Sequence, residues 1–391
     1  MIYMIVFILL IFLSFHYDIC GKKRNRDIWY NIVLVIFILI AGLRWRVGVD
    51  TIAYIDRFYY EYPVLDNFSF LEYGLGRDPF YALINVIVKT MGGRFYMVQI
   101  IQATIVNTLI FKYIKRHSDY IFTCVLFYFF INYVNYNMEV MRGSISIAIC
   151  LFGNDYIMEK KWLKGYILYL IAALFHFQTI VIFVLPSLFW IRFNKTGVLV
   201  LLMAFVIGFS LKSLLADYMF LLGGNEMLEG AMEEKLYGKW GEQTGNLIYF
   251  ASIIVFKILY PLLSFFLVKK YCHDENKLRI EPFVFLGIMF VLIQFNLPIA
   301  FRYVYYFEPY FVILFAEIYV DVMAKRYKTN SVLIIQSFII FLPLFYYYGY
   351  NKYKTHKYHP YTSVIEMSVD PQKEESFQFR WSYSPPNKNR Y

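Results

Sequence analysis

Long apolar runs recur along the chain, and short loops rich in lysine and arginine separate them. A helix needs roughly 20 predominantly apolar residues to cross a bilayer, and within lipid only internally hydrogen-bonded structures are stable. The pattern therefore predicts an all-α polytopic membrane protein. Composition agrees: 60% of the 391 residues are hydrophobic, against about 45–50% in an ordinary soluble domain. The net charge of +10 sits mainly in loops between apolar runs, which is the positive-inside pattern and not a nucleic-acid stripe. Membrane lipid is an expected partner; nucleic acid is not.

The basic clusters orient the chain. Residues 2–15 are apolar and precede Lys22, Lys23, Arg24 and Arg26, the reverse of a cleavable signal, so they read as a retained first helix with its N-terminus outside. With 22–26 in the cytoplasm, the run 28–43 goes outward and 44–57 lies on the outer side. The run 79–91 is too short to cross and ends at Gly92-Gly93-Arg94, so it reads as an interfacial or re-entrant helix. The run 95–114 returns to Lys112, Lys115, Arg116 and His117; 120–134 goes out to an Asn/Tyr-rich turn at 132–137; 138–158 comes back to Glu159, Lys160, Lys161 and Lys164. Basic residues flank 165–191 at both ends, and His176-Phe177-Gln178-Thr179 interrupts it. Two short helices meeting at His176 near the outer face satisfy that parity, with one long tilted helix as the alternative. Runs at 197–215, 247–268, 283–299, 303–320 and 331–346 complete about twelve crossings. One transmembrane domain is expected over 1–350, with extracytoplasmic loops at 43–79 and 216–246 and a polar, partly disordered outer tail at 351–391.

The four cysteines, Cys20, Cys124, Cys150 and Cys272, have no paired spacing, and no Walker loop, GxGxxG or HExxH occurs. Neither a cofactor nor a metal is expected. The charges at the outer helix ends carry more information, because the positive-inside rule disfavours arginine there. Arg44, Arg46, Arg142 and Arg302 all fall at such ends. A guanidinium presents a rigid fork of donors to phosphate oxygens and stays ionised. Each also has a structural alternative: Arg44 snorkelling from its helix, Arg46 pairing with Asp50, Arg142 pairing with Glu139, Arg302 snorkelling after Pro298. His176 interrupts an apolar run and is able to donate to a phosphate or accept a hydroxyl proton. Lys257 lies mid-run, where an unpaired charge is costly, so it must face protein or water. The acidic loop 216–246, with Trp240 and Tyr237, offers a saccharide surface or a merely solvated one.

Several segments, in order, resemble the EpsG family of polysaccharide-biosynthesis membrane proteins, relatives of the Wzy-type O-antigen polymerases. GLRWRVGVDTIAYIDRF is similar to the family's Arg-x-x-x-Gly-x-Asp-x-x-Tyr stretch, and DPFYALINVIVKTMGG to its acidic-Pro-Phe helix. NMEVMRGSISIAICLFG resembles its Asn…Arg-Gln-x-x-Ala helix, LFHFQTIVIFVLP its Phe-His break, FRYVYYFEPY its late Arg-Tyr segment, and YHPYTSV its Pro-Tyr close. One departure stands out: Gly143 occupies the place of the glutamine after the arginine.

The resemblance implies a bacterial inner-membrane glycosyltransferase of GT-C-like architecture, working outside the cytoplasm without a metal. Its substrate would be an oligosaccharide repeat unit on a polyprenyl (undecaprenyl) diphosphate, and its product a capsule, exopolysaccharide or O-antigen chain. Arg44, Arg46, Asp50, Arg142, His176 and Arg302 are the implied catalytic residues, with Asp50 as a candidate base. Tyr54, Arg57, Glu139, Trp240 and Tyr303 are the candidate substrate-binding residues. A chain-length regulator and a flippase are the expected protein partners. A lipid-linked-sugar transporter, a ligase-type transferase on the same carrier and a non-catalytic assembly subunit are the rival readings.

Overall fold

The computed structural model describes residues 2–69, 78–221, 247–271, 279–324 and 358–370. Among them every regular element is helical, and the one β-type pairing is an isolated bridge between Arg44 and Ser363. Among the described residues three helices are long and apolar enough to cross a membrane: Ile2–Ile19, Phe95–His117 and Phe250–Lys270. Shorter apolar helices accompany them. The chain divides into two compact units, Met1–Phe183 with Phe338–Tyr391, and Val184–Ser337.

In the first unit the helices are α1 (Ile2–Leu13), α2 (Arg26–Gly42), α3 (Val49–Asp56), α4 (Pro79–Thr90), α5 (Phe95–His117), α6 (Ile121–Tyr128), α7 (Met141–Met158) and α8 (Trp162–Phe175). Helix α7 packs on α8 through two glycines. A Cβ at Gly153 would lie 2.6 Å from the Tyr169 ring, and one at Gly165 would lie 2.6 Å from Ile157. Only glycine lets these backbones approach so closely. Helix α2 packs on α5, where a Cβ on Gly42 would lie 2.7 Å from Ile100.

Opposite charge clusters mark the two ends of this unit. At one end Arg26 meets Asp18 at 3.4 Å, Lys115 meets Asp27 at 2.8 Å, and Arg116 and His117 meet Asp155 and Glu159 at 2.8–3.6 Å. These are the clusters that the charge pattern groups on one face. At the other end lie Arg44, Glu139, Arg142 and His176. Helix α7, 18 residues long, runs from Arg142 to the Asp155 cluster. At 1.5 Å per residue it spans about 27 Å, close to the roughly 30 Å of a hydrocarbon core.

Several expectations need correction. No turn occurs at 132–137: wide π-type turns Phe129–Tyr133 and Asn135–Glu139 continue the helical path to Val140. Such turns free backbone carbonyls, and buried amides take them up. Asn137 Nδ2 donates to the Tyr133 carbonyl at 2.9 Å, and Gln102 Nε2 to that of Tyr136 at 3.0 Å. Residues 216–221 continue the helix Lys195–Leu221 and are not loop. The helix expected over 303–320 is interrupted at 305–307 and resumes as Glu308–Glu317. Residues 358–370 are docked, not a free tail: Trp45 N–H donates to Thr362 O at 2.9 Å, Val364 N–H to Leu43 O at 2.8 Å, and Tyr361 Oη to Ile40 O at 2.9 Å. The run at 331–346 lies outside the described residues.

In the second unit Lys257 finds its partner, the buried carboxylate of Glu308 at 3.3 Å, with the Tyr305 ring 5.9 Å away. That pairing resolves the cost of a mid-run lysine.

The loop after α2 is held by one glycine. Gly48 has φ +103°, and a Cβ there would lie 2.6 Å from the Met138 carbonyl oxygen. Gly48→Ala is expected to destabilise the protein by about 1–3 kcal/mol, read as a lowered unfolding midpoint in detergent; an unchanged midpoint would contradict the close approach.

Candidate functional site

The site is built around Asp78, which immediately precedes helix α4. Its neighbour Pro79 supplies a preset φ at the first helical position. Oδ2 accepts from Arg142 Nη1 at 2.6 Å and faces His176 Nδ1 at 3.3 Å, and Oδ1 accepts from the Phe177 N–H at 2.8 Å. Arg142 stands in the first turn of α7 and His176 just beyond the last turn of α8. At His176 the backbone leaves the helix for an extended conformation, φ −155° and ψ 107°, and short 3₁₀ turns follow at Phe177–Phe183. The break falls where the His-Phe-Gln-Thr interruption predicts it. Three elements distant in sequence thus meet on one carboxylate.

Burial raises the Asp78 carboxyl pKa, but the His176 hydrogen bond and the Arg142 charge outweigh it and hold the group below the usual carboxylate range. Asp78 is therefore ionised at neutral pH. Its side chain is 6% exposed, that of His176 18% and that of Arg142 25%, so the cation and the imidazole keep an open edge while the carboxylate beneath is covered. The Arg142 guanidinium carbon lies 5.7 Å from the Tyr54 ring, and its Nε makes no hydrogen bond.

Other expected residues fall nearby in supporting places. Glu139 does not pair with Arg142. Its carboxylate accepts from the N–H groups of Val49 and Asp50 at 3.1 and 3.2 Å, at the start of α3, and from Tyr358 Oη. A carboxylate there complements the positive end of the helix. This anchors α3, which carries Tyr54 toward Arg142. Asp50 is exposed at that helix start. Arg46 packs over Trp45 with its guanidinium carbon 5.3 Å from the ring centroid. Arg57 pairs with Glu61 at 4.0 Å on an exposed edge.

Arg44 is the clearest departure. Instead of facing phosphate at a helix end it is 1% exposed, donates to Ala41 O, and lies 3.2 Å from Met141 Sδ. Burial pulls its guanidinium pKa down to about 10, which still leaves it charged. It is buried against Met141, the residue before Arg142 in the chain. Arg302 and Tyr303 belong to the second unit. The guanidinium carbon of Arg302 lies 5.9 Å from the Phe301 ring, and Tyr303 lies against Phe290 at 5.3 Å. Trp240 lies outside the described residues.

Composition and spacing gave Asp78 no role. The available signal was an acidic residue directly before Pro79, at the head of a short apolar helix. Tyr358 likewise passed as part of a polar tail.

The EpsG family model matches residues 27–363. The chain belongs to the EpsG family. No curated protein and no solved structure matches it. The EpsG match spans every residue of the Asp78 cluster, and membership makes this helical membrane protein one of polysaccharide biosynthesis.

Because its folded pKa is lowered, Asp78 contributes its full stabilisation above the unfolded value of about 3.9 and loses it as pH falls through the lowered one. Wild-type protein is expected to lose stability below pH ~4. Asp78→Asn should start lower at pH 7 and show a shallower acid loss. Parallel curves for the two proteins would contradict the assignment.

Proposed function

We propose that this EpsG protein polymerises polysaccharide by joining oligosaccharide repeat units carried on a polyprenyl diphosphate, at the extracytoplasmic membrane face. The observation that carries the reading is the single carboxylate of Asp78 holding both Arg142 and His176, at the end of the unit opposite the basic clusters. On this reading the chain crosses the membrane about twelve times, and those basic clusters face the cytoplasm.

The proposed chemistry is a glycosyl transfer that this geometry supports. A sugar hydroxyl of one unit attacks the anomeric carbon of another, the bond from that carbon to the diphosphate oxygen breaks, and the diphosphate leaves with the electron pair. With the Nδ1 proton donated to Asp78, the Nε2 lone pair of His176 receives the hydroxyl proton. Arg142 meets the growing charge on the diphosphate with a guanidinium already in place. His176 is a better base than Asp50, because a carboxylate orients it and it shares its site with the arginine. Tyr54 fixes the guanidinium plane from one side. A flippase must deliver the lipid-linked unit to this face, and a chain-length regulator is a fitting partner.

Arg142→Ala is expected to insert normally and to lower polymerisation by about 10²–10³-fold, seen as loss of the long-chain ladder in cells. Arg142→Lys should not restore it, since a point charge does not reproduce the fork. A wild-type ladder from Arg142→Ala would remove the residue from the mechanism.

A further inference from the structure

Glycine at 143 is not explained by packing. Gly42, Gly153 and Gly165 each stand where a Cβ would meet a neighbour at 2.6–2.7 Å, and Gly48 where φ is positive. At Gly143 the nearest atoms to a Cβ would be His176 Cδ2 at 3.4 Å, His176 Nε2 at 3.8 Å and Val140 Cβ at 3.8 Å. These are ordinary contact distances, and φ there is not positive. A methyl group would fit. Helix propensity also argues against the choice, since glycine in a helical turn is destabilising relative to alanine.

A methyl at 143 would lie in contact with the Cδ2–Nε2 side of the His176 ring. Nδ1 is committed to Asp78 at 3.3 Å. Nε2 is the nitrogen left for a ligand, and its resident neighbour is the Gln178 side-chain amide at 3.2 Å, which donates to a bare Nε2 only with its NH2, not its oxygen, turned toward the ring. That amide sits two residues along the chain, on the turn that follows the helix break.

We infer that Gly143 is a specificity-determining position: it keeps open a subsite for the acceptor hydroxyl at His176 Nε2, where the Gln178 amide rests until a hydroxyl replaces it. The inference builds on the polymerase reading and deepens it by naming where the acceptor sugar enters. The ligand class is a sugar hydroxyl presented edge-on to an imidazole, small enough to pass a residue without a side chain. The diphosphate half of the reaction stays with Arg142. Substitutions at 143 therefore act on the acceptor and leave donor binding intact.

Two variants and two readouts test this. Gly143→Ala should unfold at the same temperature as wild type or higher, while its KM for an acceptor oligosaccharide rises about tenfold. Gly143→Leu should abolish chain growth and still bind the lipid-diphosphate donor. Independently of any substrate, diethyl pyrocarbonate should carbethoxylate His176 in the full-length wild-type protein and at least tenfold more slowly in Gly143→Leu, quantified by peptide mass spectrometry. Equal labelling of His176 in both proteins, or wild-type acceptor kinetics in Gly143→Leu, overturns the inference. Loss of polymerisation by wild type itself, with the labelling difference intact, would instead sink the polymerase reading and leave the open imidazole edge standing.

Discussion

One buried carboxylate organises the charged end of the first unit. Asp78 is 6% exposed and accepts from a guanidinium, an imidazole and a backbone amide. A carboxylate placed so deep is costly unless such donors surround it. Among the described residues the guanidinium and the imidazole have no other carboxylate partner. Arg142 and His176 are half-buried at the ends of separate helices, and Glu139, the nearest acidic residue in sequence to Arg142, is spent on the start of α3. Take Asp78 away and both are left partly desolvated without the carboxylate that joins them.

The surrounding fold serves that convergence. Glycines at 153 and 165 let α7 and α8 lie close enough for Arg142 and His176 to share a partner. The break at His176 turns both the imidazole and the Phe177 N–H toward Asp78. Helix α3, pinned by Glu139 and the close approach at Gly48, brings Tyr54 to the guanidinium. The Glu139 anchor extends to Tyr358, so residues from the far end of the chain brace the loop that carries Arg44 and Trp45. Arg44 is a buried cation among tyrosines.

Much of this was legible in the residues. The helix break at His176, the short helix after Asp78 and the grouping of the basic clusters follow from hydropathy and charge, because those effects act along the chain at short range. That Arg142 needs a partner was legible for the same reason: a lone arginine within an apolar run is costly. Which partner was not, since Asp78 and Glu139 are equally acidic and only the fold decides which one arrives. The burial of Arg44 was hidden too. Its helix-end position suits a snorkelling side chain, and tertiary packing of Met141 and the 358–364 segment closes over it. Asparagines at 132–137 read as a turn because they favour turns in isolation, yet here the path stays helical and the Asn137 amide takes up the Tyr133 carbonyl.

The central claim is that Asp78 makes His176 and Arg142 one catalytic unit. A double-mutant cycle on polymerisation rate, with His176→Ala measured in the wild-type and in the Asp78→Asn background, tests it most directly. The account predicts that His176→Ala costs at least tenfold less once Asp78 is gone, because an imidazole without its orienting carboxylate has little left to lose. An equal loss in both backgrounds would contradict it.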